Sequence, residues 1–379
     1  MTPEMKAEFD DYAKWAEAEI AQIIRDLCMI PAPSHQEKKR AEYCRNWFNK
    51  NKFTNVSIDD AYNVIVPVNL KPDQKYMVMM AHTDTVFPDT EPLPFLEKNG
   101  YMYSPGITDD TANLAVMMVC ARYFKDHFPA DSNGILFVAN SCEEGLGNLK
   151  GCRQIMEKYG NQIDEFVTLD SACLNKIVTH AVGSHRYQVE VKTQGGHSFN
   201  NFGNKNAIHA ISEIITELYK IQVPQEGNSK TTYNVGTISG GTSVNTIAQD
   251  AVMLYEYRSD NLNCLKTMQE RSAAVFDSFR NQGITLNIKK IGDRPCSAEI
   301  DPERFGKLID RIKNAMAETH QETPFETSGS TDCNIPLSMG IPAICFGVCR
   351  GSGAHTREEH LEISSLYDGC RLLLNFLYR

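Results

Sequence analysis

The feature that most constrains the fold is the run YMVMMA over 76–81, apolar at every position and closed by His82. A strand that is apolar on both pleat faces has to be covered on both, as happens inside an α/β sheet. The neighbouring segments agree. Tyr12, Trp15, Ile20, Ile23 and Ile24 recur at helical spacing and mark a helix over 9–27, which Pro31 and Pro33 break. Ser34 and Glu37 form the pattern of a capping box, predicting a second helix that runs towards Asn51. The strand-like runs AYNVIVPVNL, GILFVANS and EFVTLD then alternate with helical runs over 111–128 and 149–159. That order predicts an open α/β sheet with helices on its faces.

The pattern changes after His180. RYQVEVKTQ alternates, 207–219 is helical, TTYNVGTISGG and AVMLYEYRS read as adjacent strands, and a helix over 264–280 precedes the strand ITLNIKKI. This βαββαβ order predicts a small α+β, ferredoxin-like unit with its own core. Beyond Pro295 the chain returns to helix–strand alternation, with IPAICFG as a buried strand and 366–377 as a closing helix. The expectation is an α/β domain with a mixed sheet over 1–182 and 293–379, interrupted by an inserted lid over 183–292.

At 379 residues there is enough chain for two cores. A net charge of −10 argues against nucleic acid as a partner, since phosphates call for a basic face. The start of the chain is acidic and lacks an uninterrupted apolar run, and no later run reaches the roughly 20 apolar residues of a membrane span. The 12 cysteines are scattered and no CxxC pair occurs, which predicts reduced thiols and a cytoplasmic location.

Five side chains suited to a metal stand where strands are expected to run out. They are His82 in AHTDTV, Asp109 in PGITDDTA, Glu144 in SCEEGLG, Asp170 in FVTLD and His355 in GAHTREEH. In α/β sheets ligands bind outside the carboxyl ends of the strands, and a histidine–carboxylate set suits zinc or a similar divalent ion. Asp84, two residues beyond His82, can hold its ring in register. Asp109 can bridge two ions about 3.5–4 Å apart through its two oxygens, whereas Asp110 reads better as an acid at the start of a helix. Adjacent Glu143 and Glu144 would repel each other without a cation or a shared proton. Glu144 is assigned to metal and Glu143 to water, as general base. His360 competes with His355, but a surface role suits it better. Gly145, Gly147 and Gly151 lack the GxGxxG spacing, and two glutamates would repel a pyrophosphate, so a nucleotide is not expected. A non-catalytic, metal-holding peptide-binding protein is the remaining alternative. Glu143 weighs against it, because a structural metal site needs no base.

Together HTDTV, PGITDD, CEEGLGNLKG, the strand-ending Asp170, GGHS and GAHTREEH resemble the co-catalytic zinc exopeptidases, the family of peptidase T, carboxypeptidase G, aminoacylase and succinyl-diaminopimelate desuccinylase. The stretch EEGLGNLKG is most similar to the peptidase T-like branch. The resemblance covers almost the whole chain. It implies two zinc ions, with manganese or cobalt as alternatives: one held by His82 and Asp170, one by Glu144 and His355, with Asp109 between them. It also implies that His197 stabilises the oxyanion, in its own or a neighbouring subunit, and that the lid makes a homodimer. Asn245, in the GGTSVN segment, becomes a substrate or oxyanion contact. Arg258 becomes either a partner for a substrate carboxylate or a surface ion pair, and Gly329 and Ser330 become backbone donors to substrate. The implied substrate is a small peptide, or alternatively an N-acyl amino acid. Two departures stand out: Thr111–Ala112–Asn113 follow Asp110 where many members carry lysine and glycines, and Ala81 replaces a frequent glycine. Neither removes a ligand position.

Overall fold

The computed structural model describes residues 2–129, 132–320 and 322–379. The chain forms two compact units. One runs to Ala181 and resumes at Ala298–Arg379, and the other is Val182–Ser297.

The first unit is built on an eight-stranded mixed sheet. From edge to edge its strands are Ser57–Ile58, Val64–Val68, Ile135–Asn140, Tyr76–His82, Ile163–Leu169, Ala343–Phe346, Lys176–Ala181 and Phe325–Gly329. The four central strands, Ile135–Asn140 through Ala343–Phe346, are mutually parallel. The Tyr76–His82 strand explains the apolar run: Met79 and Ala81 enter one core, while Tyr76, Val78 and Met80 enter the core on the opposite face. Each such fully buried methionine or valine contributes about 1.5–3 kcal/mol over exposure. Helix Ala112–Asp126, buried along nearly its whole length, packs with helices Pro3–Cys28 and Ser365–Leu377 on one face. Gly369 lets the last helix lie flush, since a Cβ there would fall 1.7 Å from the Val348 carbonyl oxygen.

The expected capping box does not form. The second helix, Lys38–Lys50, starts after Glu37, whose side chain makes no cap bond, and the Ser34 hydroxyl donates instead to Asp84, 2.6 Å away. Both side chains are drawn into a polar cluster, where Ser34 gains a charged partner in Asp84 and Glu37 accepts from the Cys142 amide.

The second unit is a four-stranded antiparallel sheet in the order Thr231–Gly240, Asp250–Ser259, Gly183–Lys192 and Thr285–Arg294. Alternate residues of the Asp250–Ser259 strand are buried, the period-2 pattern of a half-covered sheet. Helices Ala207–Leu218 and Leu262–Asn281 cover that face, contributing Ile211, Ile214, Met268 and Phe276 to a separate core. All the cysteines are free thiols, buried except for the half-buried Cys173. Among the described residues no helix is long and apolar enough to cross a membrane.

Candidate metal centre

Parallel strands in register end together. His82 pairs with Asn140, and Leu169 with Phe346, so His82, the Ser141–Glu144 turn and Asp170 emerge along one edge of the sheet. Asp109 arrives differently from the expectation: it hangs from the helical turn Ile107–Thr111 rather than from a strand end. His355 comes from the loop between the short strands Gly351–Ser352 and His360–Glu362, in the left-handed region at φ 65°. His360 stays outside, its ring beside Tyr101 and Tyr103.

The five side chains converge. Asp109 places Oδ1 3.0 Å from His82 Nε2 and Oδ2 3.0 Å from His355 Nε2, and His355 Nε2 also lies 3.1 Å from Glu144 Oε1. Two triads that could hold a metal ion result, His82–Asp109–Asp170 and Asp109–Glu144–His355, and within each the ligand atoms lie within 4.8 Å of one another. Asp109 is common to both, with one oxygen turned to each histidine. Glu143 forms a third such group, with His82 and Glu144.

Asp84 is fully buried and acts on more than the histidine. Its Oδ1 accepts from the Glu143 amide and its Oδ2 from the Glu144 amide, each at 3.0 Å. His82 Nδ1 lies nearer to the Asp84 backbone oxygen (3.0 Å) than to its carboxylate (3.5 Å). Asp110 is not a helix-start acid. Its Oδ2 accepts from the His82 amide at 2.8 Å, tying the Asp109 turn to the end of the strand, and the helix beyond has no side-chain cap. The buried His82 amide satisfies that oxygen in place of the first amides of the helix.

Reading the sequence missed Glu359 altogether. It is fully buried and accepts from the amides of Gly106 (2.6 Å), Thr108 (2.7 Å) and Asp109 (3.1 Å) and from the Thr108 hydroxyl (2.7 Å). It thus holds the loop that presents Asp109. The only local signal was its position four residues after His355.

Residues 78–379 match the Peptidase family M20/M25/M40. The chain belongs to this family. Over 313 residues it is 26% identical to a succinyl-diaminopimelate desuccinylase of Bordetella parapertussis, covering 76% of this chain and 79% of the relative. Its fold is similar to that of a tripeptidase from Staphylococcus aureus (TM-score 0.76, 20% identity, 95% and 97% of the two chains covered). It is also similar in fold to a dinuclear metal-binding M20 peptidase from Bacillus subtilis (TM-score 0.65, 16% identity, 96% and 98% covered). The resemblance seen in the motifs is thereby established, and the protein is a metal-dependent hydrolase of the M20 group.

The electrostatics of this family member fit such ions. Asp84, Asp109, Asp110, Glu143, Glu144 and Asp170 gather around the imidazoles of His82 and His355. Burial, then the charges of Asp109 and Glu143, pushes the Glu144 carboxyl up to about 7. Burial and the same two neighbours hold Asp170 well above the carboxylate range. Hydrogen bonds to Asp109 and Glu144 raise His355 to about 10. Burial disfavours a charged His82, yet bonds to Asp109 and Asp84 outweigh it and raise the ring well above its ordinary value. The cluster draws in protons because it is short of positive charge, and divalent cations would supply that charge.

In the second unit, Gly196 and His197 pair with Ile247 and Thr246, which brings His197 beside the Asn245 loop. The Ser198 amide donates to the Asn245 carbonyl at 3.0 Å. His197 Nδ1 accepts from the amides of Phe199 (3.2 Å) and Asn200 (3.4 Å), which leaves Nε2 as the ring's donor. Arg258 donates to both oxygens of Glu256, at 2.8 and 3.1 Å. In the first unit, Gly329 ends the Phe325–Gly329 edge strand and Ser330 follows it.

Proposed function

We propose that this M20 member is an exopeptidase that hydrolyses the amide bond of a small peptide at a two-metal site, with zinc as the ion. The observation that carries the reading is Asp109, shared between the two triads with one oxygen towards each. In this assignment His82 and Asp170 serve one ion, Glu144 and His355 the other, and Asp109 both. Bound there, the ions supply Lewis acidity for the scissile carbonyl and lower the pKa of water.

The chain's own residues then do the proton work. Glu143 takes the proton of the attacking water and delivers it to the leaving amine. Asp84, gripping the amides of Glu143 and Glu144, keeps base and ligand in fixed relation. His197, with Nε2 as its donor, serves the developing oxyanion, and Asn245 offers a second donor. Arg258, released from Glu256, would meet the substrate carboxylate, with Gly329 and Ser330 as backbone donors.

The second reading is an N-acyl amino acid deacylase, which the succinyl-diaminopimelate desuccinylase relatives favour. One experiment separates the two: release of free amine from di- and tripeptides and from N-succinyl and N-acetyl amino acids, with zinc, manganese or cobalt added. Cleavage confined to peptides supports the exopeptidase. Cleavage confined to the acyl amino acids replaces it with the deacylase.

We also infer a homodimer through the second unit. The Thr231–Gly240 strand lies at an edge of its sheet with one strand neighbour, and Ile238 is exposed on it. Sedimentation showing only monomer at working concentration would remove this inference, and with it any role of His197 across a subunit boundary. The free thiols support a reducing, cytoplasmic setting.

A further inference from the structure

Beyond the strand Ile135–Asn140 the chain turns sharply before it presents Glu143 and Glu144. Cys142 makes that turn in the left-handed region, at φ 55°, where a residue with a Cβ is strained. Two buried carboxylates take the three consecutive amides of the turn. Glu37 Oε1 accepts from the Cys142 amide at 3.0 Å, and Asp84 accepts from those of Glu143 and Glu144. The same Glu37 oxygen accepts from the Cys142 thiol at 3.2 Å and from the His35 amide at 2.9 Å. Ser34, in the same loop, donates to Asp84 at 2.6 Å. Gly147 closes the turn from the other side, where a Cβ would lie 2.7 Å from the Cys142 Cα.

Glu37 is fully buried, immediately precedes a helix and caps nothing. Its second oxygen has no hydrogen-bond partner among the described residues. A buried carboxylate half satisfied in this way costs stability, so helix capping does not account for it. Besides the His35 amide in its own loop, it takes both the amide and the thiol of the strained residue next to Glu143.

We propose that Glu37 is a positioning residue for the catalytic base: by holding Cys142 in its left-handed turn it aims the Glu143 carboxylate. The inference rests on Glu143 acting as the base. It also explains why Ser34 and Glu37 lie in one short loop. One fastens Asp84 and the other Cys142, so Ser34–Glu37 forms the back wall of the turn.

The test combines structure and kinetics on the full chain loaded with zinc. Glu37→Ala removes the acceptor, and Glu37→Asp withdraws it by one methylene while keeping the charge. Glu37→Gln keeps an oxygen for the Cys142 amide, and Glu37→Ala combined with Cys142→Gly lets the turn form unaided. In crystals of Glu37→Ala, or of Glu37→Asp if the alanine variant does not fold, residue 142 is expected to leave the left-handed region and the Glu143 carboxylate to shift. The kcat on trialanine or N-succinyl-alanine, whichever the wild type cleaves, is expected to fall about 10–100-fold, since small misplacements of a reacting group cost that much. KM and two zinc ions per chain should be retained. Glu37→Gln should recover most of the lost rate, and the double variant should recover the left-handed turn together with the rate. An unchanged turn in both Glu37→Ala and Glu37→Asp would overturn the proposal, as would loss of zinc in step with activity or failure of the glycine to restore either property. Glu143→Gln, run alongside, separates the two ideas. If it keeps the wild-type kcat, the base assignment itself is wrong. If it is inactive while the Glu37 variants are unimpaired, only the positioning role fails.

Discussion

At the scale of single residues, the site divides into groups that would touch metal or substrate and groups that hold them. Glu143→Gln should leave both ions bound and lower kcat by about 10²–10⁴, the usual contribution of a general base; zinc content and steady-state kinetics on one sample check both halves. Glu359→Ala should do the reverse. With the Gly106, Thr108 and Asp109 donors left unanswered, Asp109 loses its anchor, and zinc affinity should fall about 10–100-fold, as when other outer partners of metal ligands are removed. Competition with a chromophoric chelator measures that fall directly.

The residues that could be read from sequence were those whose chemistry is unusual for their place. His82, Asp109, Glu144, Asp170 and His355 stood out because charged or ligating groups followed apolar runs. Glu359 did not, and Glu37 did only as half of a capping box, because their importance lies in partners 253 and 105 positions away. Asp110 and Ser34 each had an ordinary local explanation, a helix-start acid and a capping box. In each case a partner distant in sequence prevailed over the local motif, the Asp84 carboxylate for Ser34 and the His82 amide for Asp110.

At the scale of elements, Gly369 is the described glycine at which an added Cβ would meet a backbone atom most closely. Gly369→Ala would press a methyl group into the Val348 carbonyl, an overpacking expected to cost about 1–3 kcal/mol, and thermal unfolding should show it as a lowered Tm. In the second unit, His185 and Asp293 face each other across paired strands, their side chains 3.5 Å apart. The hydrogen bond to His185, followed by that to Lys290, holds the Asp293 carboxyl well below its ordinary range. A carboxyl depressed in the folded state stabilises above its unfolded pKa of about 3.9, and that stability is lost as pH falls through the folded value. Asp293→Asn should therefore destabilise the protein at neutral pH and match the wild type progressively as acid is added below about pH 4. Because Asp293 is half exposed, the difference should stay under about 1 kcal/mol. Denaturant titrations at several pH values check this.

The elements themselves were legible where periodicity was strong. The apolar Tyr76–His82 strand and the alternating Asp250–Ser259 strand both lie where their patterns placed them. The turn Ile107–Thr111 was not legible, because it has no periodicity and its shape depends on Glu359 from the far end of the chain.

At the scale of the whole molecule, all five proposed ligands belong to one of the two compact units, although His355 reaches it from beyond the inserted segment. With these ligands, metal binding would be coupled to closure of a discontinuous fold, because a ligand from each side of the insertion would have to be in place. Chelation should lower Tm and restored zinc should raise it, by an amount that grows with free zinc concentration.

A two-metal site with Glu143 as its base is tested by a zinc titration of chelator-stripped protein, reading bound metal per chain and amide hydrolysis at each step, for wild type and Glu143→Gln. Two ions per chain are expected in both proteins, with turnover rising with metal in the wild type alone. Turnover that survives complete removal of metal, or Glu143→Gln hydrolysing at the wild-type rate, would contradict that assignment.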